Sequence, residues 1–303
     1  MKFEVKNITK SFGEKQVLNG VSFETQSGSA LGILGRNGAG KTTTIRIIMQ
    51  VFNANIGEVL LDGKPLDTSK VNIGYMPEER GLYPKKQIME QLLYFAALKG
   101  IRASEAKANA KRLLERLEMT EYTNAKLNTL SKGNQQKIQL VATLICNPDI
   151  VILDEPFSGL DPVNAILLKD IVKEMITDGK IVLFSSHQMN YIEEFCDDIV
   201  ILNQGKVAVS GSIKEIKRGY DRKKIYVSSQ NIKAINEFVS SNISHLVKNI
   251  SEQGDGLLIE LNAAQDKSQV LKALADCSVD IDEFKVYEPS LNDIFVDYTE
   301  GGI

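Results

Sequence analysis

A glycine-rich stretch near the N-terminus, GRNGAGKT, spans residues 35–42 and directly follows the apolar run SALGILG. It fits the pattern G-x-x-x-x-G-K-[ST], which requires a strand before it and a helix after it. The next segment, TTTIRIIMQVF, has helical spacing. Gly38 and Gly40 let backbone N–H groups approach an anion without a Cβ clash, and the helix start adds partial positive charge. Lys41 can then reach the β- and γ-phosphates, so this stretch predicts a nucleotide-binding loop.

The candidate nucleotide contacts are the loop residues and the first helical turn: Gly35, Asn37, Gly38, Ala39, Gly40, Lys41, Thr42 and Thr43. We expect the Thr42 hydroxyl to ligate Mg²⁺ and Thr43 to donate to the α-phosphate. The alternative is a glycine-rich turn with a chance lysine, and the strand–loop–helix context argues against it.

Two carboxylates, Asp154 and Glu155, end the apolar run IVILDEP. Buried carboxylates are costly unless they are paired or bind a metal. We expect Asp154 to hold Mg²⁺ together with Thr42, and Glu155 to polarise the attacking water. His187 ends the apolar run IVLFSSH. Because the carboxyl ends of parallel strands share one crevice, these groups and Lys41 should lie close together, and we expect His187 to contact the γ-phosphate.

A second helix start suited to anions occurs in LSKGNQQK, residues 130–137. Ser131 and Gly133 precede polar, helix-compatible residues and then the apolar run IQLVATLIC. The other reading is an ordinary helix start with Ser131 as its N-cap. The two readings are compatible, because a capped helix can also present its amides to an anion.

The elements that must position these residues alternate between strands and helices over the first two thirds of the chain. Continuous apolar strands between helices are typical of a mainly parallel sheet covered on both faces. We therefore predict an α/β fold over residues 1–218, and its phosphate loop resembles those of P-loop NTPases, which implies a RecA-like core with a mixed sheet. A helical subdomain is expected at about 80–147, where Ser104 is a candidate cap for the helix SEAKANAKRLLERLEM.

The last part of the chain, residues 219–303, has a different pattern, with the order β-α-β-β-α-β plus a final helix. That order predicts a small C-terminal α+β domain, with the boundary at residues 218–222. This part contains 8 basic and 14 acidic residues, which a difference in solvated surfaces explains.

Composition excludes several classes of protein. A net charge of −3 over 303 residues gives no support for nucleic acid binding. Three widely spaced cysteines predict a reduced, intracellular chain with no disulfide. The N-terminus is not a signal peptide, and no apolar run approaches the ~20 residues of a membrane helix. A membrane role would therefore require a partner.

Taken in order, these segments resemble the ATP-binding subunit of ABC transporters. LSKGNQQK resembles the family's signature motif, SGLD (Ser158–Asp161) its D-loop, and SSH, ending at His187, its switch-histidine loop. Phe12 lies where the family places an aromatic residue that stacks on adenine. The resemblance covers roughly residues 1–215, and the ordered set of motifs is far more specific than a phosphate loop alone.

The resemblance implies ATP and Mg²⁺ as ligands and a head-to-tail pair with a second copy or a paralogue. Ser131 and Gly133 would then bind the γ-phosphate held by Lys41 of the other subunit, and Asp161 of the D-loop would contribute to the same nucleotide site. It further implies integral-membrane permease subunits as partners and a position at the cytoplasmic face of the membrane. ATP hydrolysis would energise transport, and similarity to a sodium-export and antibiotic-resistance branch favours export.

The sequence departs from the family pattern in two places. Lys132 and Asn134 replace a glycine and a glutamine of the signature, and Glu78 replaces the Q-loop glutamine of IGYMPEERGLYP. Glu78 remains a candidate metal contact. Lys132 either attracts the γ-phosphate or points to solvent, and we favour solvent. Two other functions stay open: a soluble ABC-type ATPase acting on a non-membrane partner, and an ATP-binding regulator with little turnover.

Overall fold

The computed structural model describes residues 1–79, 81–219, 222–277 and 279–300, apart from the side chains of Pro162 and Glu300. The chain packs into two units, Met1–Ile213 with residues 295–300, and Lys214–Ile294. The boundary predicted at residues 218–222 stays a prediction, and its residues 220 and 221 lie outside the described residues.

The first unit contains most of the regular elements. In chain order these are β1 (Lys2–Phe12), β2 (Lys15–Gln26), β3 (Ser29–Gly35), α1 (Lys41–Ile48), β4 (Ile56–Leu61), β5 (Lys64–Pro65), β6 (Ile73–Met76), α2 (Ile88–Leu98), α3 (Ala103–Arg116), α4 (Lys132–Leu144), β7 (Ile150–Asp154), α5 (Pro162–Thr177), β8 (Ile181–Ser185), α6 (Met189–Phe195), β9 (Asp198–Asn203) and β10 (Lys206–Ser212).

A six-stranded mixed sheet of order β10-β9-β3-β8-β7-β6 forms the centre of this unit. Its strands are parallel except β10, which pairs antiparallel with β9. Every residue of β3, β7 and β8 is buried, which explains their continuous apolar sequence. Ser185 of β8 pairs with Ile33 of β3 and with Asp154 of β7, so the carboxyl ends of these strands share one edge. The predicted α/β class with a mixed sheet is confirmed.

A second, antiparallel sheet has the order β2-β1-β4-β5. The sequence analysis did not predict β2, although Val21, Phe23 and Thr25 alternate with exposed residues along it. A shift in the pairing of β1 with β2 near Ile8 and Lys10 interrupts this alternation. The strand was missed because its period of two breaks within a few residues.

Helices α2, α3 and α4 lie within the segment predicted to be helical. Ala106, Ala110 and Leu114 are buried along α3, as their spacing predicts. The predicted cap is wrong, because the helix begins at Ala103 and its N-cap is Arg102, which has an extended backbone. Among the described residues, no helix is long and apolar enough to cross a membrane.

The second unit is built from a four-stranded antiparallel sheet of order β12-β13-β11-β14. The elements of this part of the chain are α7 (Ile213–Gly219), β11 (Lys224–Ser228), α8 (Ile232–Asn242), β12 (Val247–Gln253), β13 (Gly256–Leu261), α9 (Lys267–Ala275), β14 (Glu283–Val286) and α10 (Leu291–Glu300). Buried residues of β11, β13, α8 and α9 form its own core, including Ile225, Val227, Ile235, Val239, Ile259 and Leu274. The predicted order β-α-β-β-α-β plus a helix is confirmed.

The contact between α4 and β6 leaves no space for a side chain at Gly74. A Cβ added there would lie 2.8 Å from the Thr143 carbonyl oxygen and 2.8 Å from Pro148 Cγ. We expect Gly74→Ala to lower the free energy of unfolding by about 1–3 kcal/mol, because backbone of α4 must shift. Gly81→Ala is the matched control, since no atom lies within 4 Å of its added Cβ. Equal thermal unfolding of the two variants would contradict this packing.

Candidate nucleotide-binding and catalytic site

The loop between β3 and α1 has the conformation that a phosphate-binding loop needs. Gly38 and Gly40 have φ values of 83° and 110°, a region that side chains disfavour. A Cβ at Gly40 would lie 2.4 Å from Leu18 Cδ2, so only glycine fits there. Asn37 and Thr42 are exposed, and Thr43 is half-buried. The loop therefore offers backbone N–H groups at the start of α1, as the sequence predicts.

A turn from elsewhere in the chain holds this loop in place. The Gly205 N–H donates to the Ala39 carbonyl at 3.1 Å, and the Asn19 N–H donates to the Gly205 carbonyl at 2.7 Å. A Cβ at Gly205 would lie 2.2 Å from the Val17 carbonyl oxygen. Gly205 lies in the turn between β9 and β10. Its contact with the loop depends on tertiary structure and has no local sequence signal.

Lys41 projects from the start of α1 back over the loop. Its Nζ donates to the Gly35 carbonyl at 2.5 Å. Burial lowers the pKa of Lys41, while the negative charges of Glu155, Asp154 and Glu78 oppose that change. These carboxylates are therefore close enough to act on Lys41 electrostatically, as expected for groups that follow neighbouring parallel strands.

Asp154 is the last residue of β7 and is 3% exposed. Burial raises the pKa of Asp154, the charges of Glu78 and Glu155 raise it further, and Lys41 opposes them. A carboxylate with this surplus of negative neighbours is stabilised by an added cation. Glu78 itself is exposed after the end of β6, and Arg80 of the same loop lies outside the described residues.

Glu155 and His187 form a pair at the ends of β7 and β8. His187 Nδ1 lies 2.9 Å from Glu155 Oε2, and the Ser186 hydroxyl donates to the same oxygen at 3.3 Å. Glu155 is 6% exposed and has a φ of 51°, an unfavourable value that active-site residues often adopt. The imidazole is mostly exposed. The buried carboxylate is therefore held at a fixed position, with an accessible histidine beside it.

The residues present fit a Mg²⁺ ion that is shared with a nucleotide. Among the described residues, no group of three or more His, Cys, Asp and Glu could hold a metal ion alone. Mg²⁺ commonly binds one or two carboxylates and takes its other oxygens from phosphates and water. Asp154, Glu78 and the Thr42 hydroxyl are oxygen donors of this kind.

The candidate adenine contact, Phe12, lies at the end of β1 and is 50% exposed. Its ring meets Phe52 edge-on at 5.4 Å between centroids. Lys10 Nζ lies 5.2 Å from the Phe12 centroid and donates to the Asn53 carbonyl. These contacts fix an aromatic ring whose accessible surface can stack on a base.

The second helix start lies on α4. Ser131 is its N-cap, and its hydroxyl accepts from the Asn134 N–H at 3.2 Å. Gly133 is half-buried and Lys132 exposed. Asp161 caps α5 in the same way and accepts from the Asn164 N–H at 3.0 Å, which lowers the pKa of Asp161. Among the described residues, no hydrogen bond joins Ser131 to the phosphate loop, so the two anion-directed helix starts are separate features.

Comparisons with known proteins agree with this geometry. The ABC transporter family model matches residues 18–158, and the model of the C-terminal domain of DrrA1-3-like ATP-binding proteins matches residues 211–299. The ABC transporter ATP-binding protein YhaQ of Bacillus subtilis (strain 168) is 41% identical over 97% of both chains. The chain belongs to the ABC transporter ATP-binding proteins.

Two further comparisons describe this ABC ATP-binding protein. The linearmycin resistance ATP-binding protein LnrL of Bacillus subtilis (strain 168) is 31% identical over 98% of this chain and 97% of that protein. A solved structure of an ATP-binding subunit of an ABC transporter is 29% identical and superposes with a TM-score of 0.68. The match covers 73% of this chain and 93% of the chain in that structure. The protein therefore binds ATP and is an ATPase of the ABC family.

The contact at Gly205 predicts that a residue outside the loop controls nucleotide affinity. Gly205→Ala should weaken ATP binding by about tenfold, because the added methyl displaces the turn from Ala39. Gly63→Ala is the control. Gly63 has a φ of 74° in a hairpin turn, close to the 77° of Gly205, but no atom lies within 4 Å of its added Cβ. Calorimetric titration with ATP measures both, and equal affinities would contradict the role of Gly205.

Proposed function

We propose that the chain is the ATP-hydrolysing subunit of an export-type ABC transporter and that it acts as a head-to-tail pair. One observation carries the proposal: a single chain has two anion-directed helix starts. One, at Lys41, adjoins the carboxylates of the catalytic site. The other, at Ser131, makes no described hydrogen bond to that loop. A second copy or a paralogue that turns Ser131 and Gly133 toward the first copy's nucleotide completes the site.

In the proposed site, Phe12 stacks on adenine while the loop amides and Thr43 contact the phosphates. Lys41 exchanges the Gly35 carbonyl for the β- and γ-phosphates, which provide a full negative charge for its ammonium. Asp154 and Thr42 hold Mg²⁺, with Glu78 as a further contact. When bound, Mg²⁺ neutralises charge that develops on the phosphates.

Hydrolysis is assigned to the pair at the ends of β7 and β8. Glu155 accepts a hydrogen bond from the attacking water, orients it toward the γ-phosphate, and takes up its proton as the water oxygen bonds to the γ-phosphorus and the bond to ADP breaks. His187, whose Nδ1 lies 2.9 Å from the Glu155 carboxylate, keeps that group in position and presents its exposed ring to the γ-phosphate. Ser131, Gly133 and Asp161 of the other subunit close the site, which excludes bulk water and strengthens these interactions.

A groove in the first unit is the proposed docking site for a membrane permease subunit. It has a volume of about 280 Å³ and is lined by residues of β6, α2 and α4 and by the segment after β6, including Tyr75, Leu82, Phe95, Leu98, Lys99 and Cys146. Leu98 is 66% exposed, and Tyr83 and Tyr94 are each about half exposed. Since the segment that contains Glu78 borders the groove, an apolar helical segment of a permease there would touch the catalytic site's edge.

The comparisons support transport and the direction of export. The relative LnrL is named for resistance to linearmycin, and the C-terminal residues match a domain of DrrA-like proteins. Resistance through a transporter requires removal of the compound, so an export role fits this chain. We place the chain at the cytoplasmic face of the membrane, where ATP is available, bound through its permease partner.

The assignment of Glu155 predicts a variant that binds ATP without turning it over. Glu155→Gln should lower the rate of hydrolysis by at least about a hundredfold, because the amide cannot accept a proton from water. With Mg-ATP it should run as a dimer on gel filtration. Glu155→Gln combined with Ser131→Arg is the control and should stay monomeric. A monomeric, fully active Glu155→Gln protein would overturn the mechanism.

If the groove is the docking site, a substitution in it should weaken attachment to the membrane without changing ATP binding. Leu98→Glu should move the chain from washed membranes into the soluble fraction of its native host, because a carboxylate cannot enter an apolar contact without cost. ATP affinity should be unchanged. Leu271→Glu changes an equally apolar, 46% exposed side chain on α9 and should leave the distribution as in the wild type. Release of both variants, or of neither, contradicts docking at this groove.

A further inference from the structure

We propose that Gln139 is a positioning residue for Glu78. It connects the backbone at Glu78 to α4, the helix whose N-cap is Ser131. The proposal rests on the function proposed above for Glu78 and Ser131. Gln139 lies in the middle of α4 and is 3% exposed, although its side chain is polar. Burial of a carboxamide is costly unless its hydrogen bonds are made, and among the described residues its Oε1 is buried without a partner. The hydrogen bonds of its Nε2 are therefore the ones that hold the side chain in place.

Gln139 binds the backbone on both sides of Glu78. Its Nε2 donates to the Pro77 carbonyl at 2.6 Å and lies 3.5 Å from the Glu79 carbonyl, the outer limit of a hydrogen bond. A carboxamide nitrogen carries two hydrogens, which suits two carbonyls that flank one residue. Glu78 itself is exposed. Because this nitrogen holds the backbone before and after Glu78, it restricts how the backbone that carries the carboxylate can move.

The helix that carries Gln139 is firmly attached to the strand that leads to Glu78. The Thr143 hydroxyl donates to the Gln139 carbonyl at 2.9 Å and lies 3.5 Å from the Tyr75 carbonyl of β6. A Cβ at Gly74 would lie 2.8 Å from the Thr143 carbonyl, which shows how closely α4 and β6 approach. Movement of α4 must therefore move the backbone at Glu78.

Two neighbours of Gln139 on α4 connect the same helix to other parts of the unit. Gln136 Nε2 donates to the Pro156 carbonyl at 3.2 Å, directly after Glu155. Lys137 Nζ donates to the Leu117 carbonyl at 3.0 Å, after the end of α3. Both side chains are more than 90% buried. Through Gln136, the helix that presents Ser131 to one nucleotide is thus bonded to the segment after Glu155, which serves the chain's own nucleotide.

This arrangement links two nucleotides in the proposed pair. A chain contacts its own Mg-ATP through Glu78 and the other subunit's ATP through Ser131, and Gln139 makes these two contacts move together. Loss of the link should weaken the cooperation between sites and the use of Mg²⁺, while leaving the phosphate loop intact.

The test uses the full chain and has two readouts. The Mg²⁺ dependence is measured on ATP binding by calorimetric titration at a series of Mg²⁺ concentrations, and the Hill coefficient is measured on steady-state ATPase activity as a function of ATP. Gln139→Met keeps the length of the side chain and removes its N–H donors. We expect it to raise the half-saturating Mg²⁺ concentration by about fivefold. It should also lower the Hill coefficient for ATP toward one. In a Glu78→Ala background, the same substitution should change the half-saturating Mg²⁺ concentration by less than about twofold.

The matched control is Asn109→Leu. Asn109 Nδ2 also donates to a backbone carbonyl of the α4 region, that of Ile145 at 3.0 Å, but among the described residues it makes no hydrogen bond to the segment at Glu78. It should leave both readouts unchanged. Gln139→Leu, which is close in volume, uncharged and also without donors, replaces Gln139→Met if that variant does not fold.

The role of Gln139 is overturned if Gln139→Met leaves the half-saturating Mg²⁺ concentration unchanged. It is also overturned if the substitution shifts that concentration equally in the wild-type and Glu78→Ala backgrounds. Unchanged Mg²⁺ dependence in Glu78→Ala alone also overturns it, because nothing at Glu78 would need positioning. The proposed mechanism is tested separately by Glu155→Gln, because full ATP turnover by that variant would contradict the mechanism. No result obtained with Gln139 variants bears on that test.

Discussion

At the carboxyl edge of the parallel sheet, one half-buried ammonium group, that of Lys41, lies near two buried carboxylates, Asp154 and Glu155. Burial lowers the pKa of Lys41 and raises the pKa of Asp154, so each group loses part of the solvation of its charged form. Their mutual attraction offsets only part of that loss. A nucleotide with its metal supplies the missing charges of both signs, which is why the rest of the site is arranged around this edge.

The backbone of the first unit holds these charges at fixed positions. The register of β3, β8 and β7 places Gly35, Asp154 and His187 at neighbouring strand ends. The glycine loop cannot relax into a common turn, because Gly205 and Leu18 occupy the space beside it. A preorganised loop of this kind can receive an anion without a large rearrangement, so little of the binding free energy is spent on ordering the loop.

The sequence was sufficient for features that depend on local pattern. Short motifs indicate the glycine loop and the two carboxylates in IVILDEP, and periodicity indicates the order of elements in the second unit. The structure agrees with the predicted sheet and with that order of elements. Contacts between distant segments had no such signal. Gly205, Gln136 and Gln139 act on backbone far away in sequence, and nothing in NQGK or NQQKIQ indicates which carbonyl they bind. The Ser104 cap failed because an extended Arg102 starts the helix earlier, without a side-chain cap.

The central claim is that each nucleotide site is completed by a second subunit, and mixing two inactive variants tests it most directly. Lys41→Ala removes the loop lysine and keeps Ser131, whereas Ser131→Arg blocks the second helix start and keeps the loop. Each protein alone should hydrolyse ATP at background rates. Their mixture should regain activity, because a mixed pair contains one site with an intact Lys41 and an intact Ser131. A mixture as inactive as its components, or full activity of Ser131→Arg alone, would contradict the account.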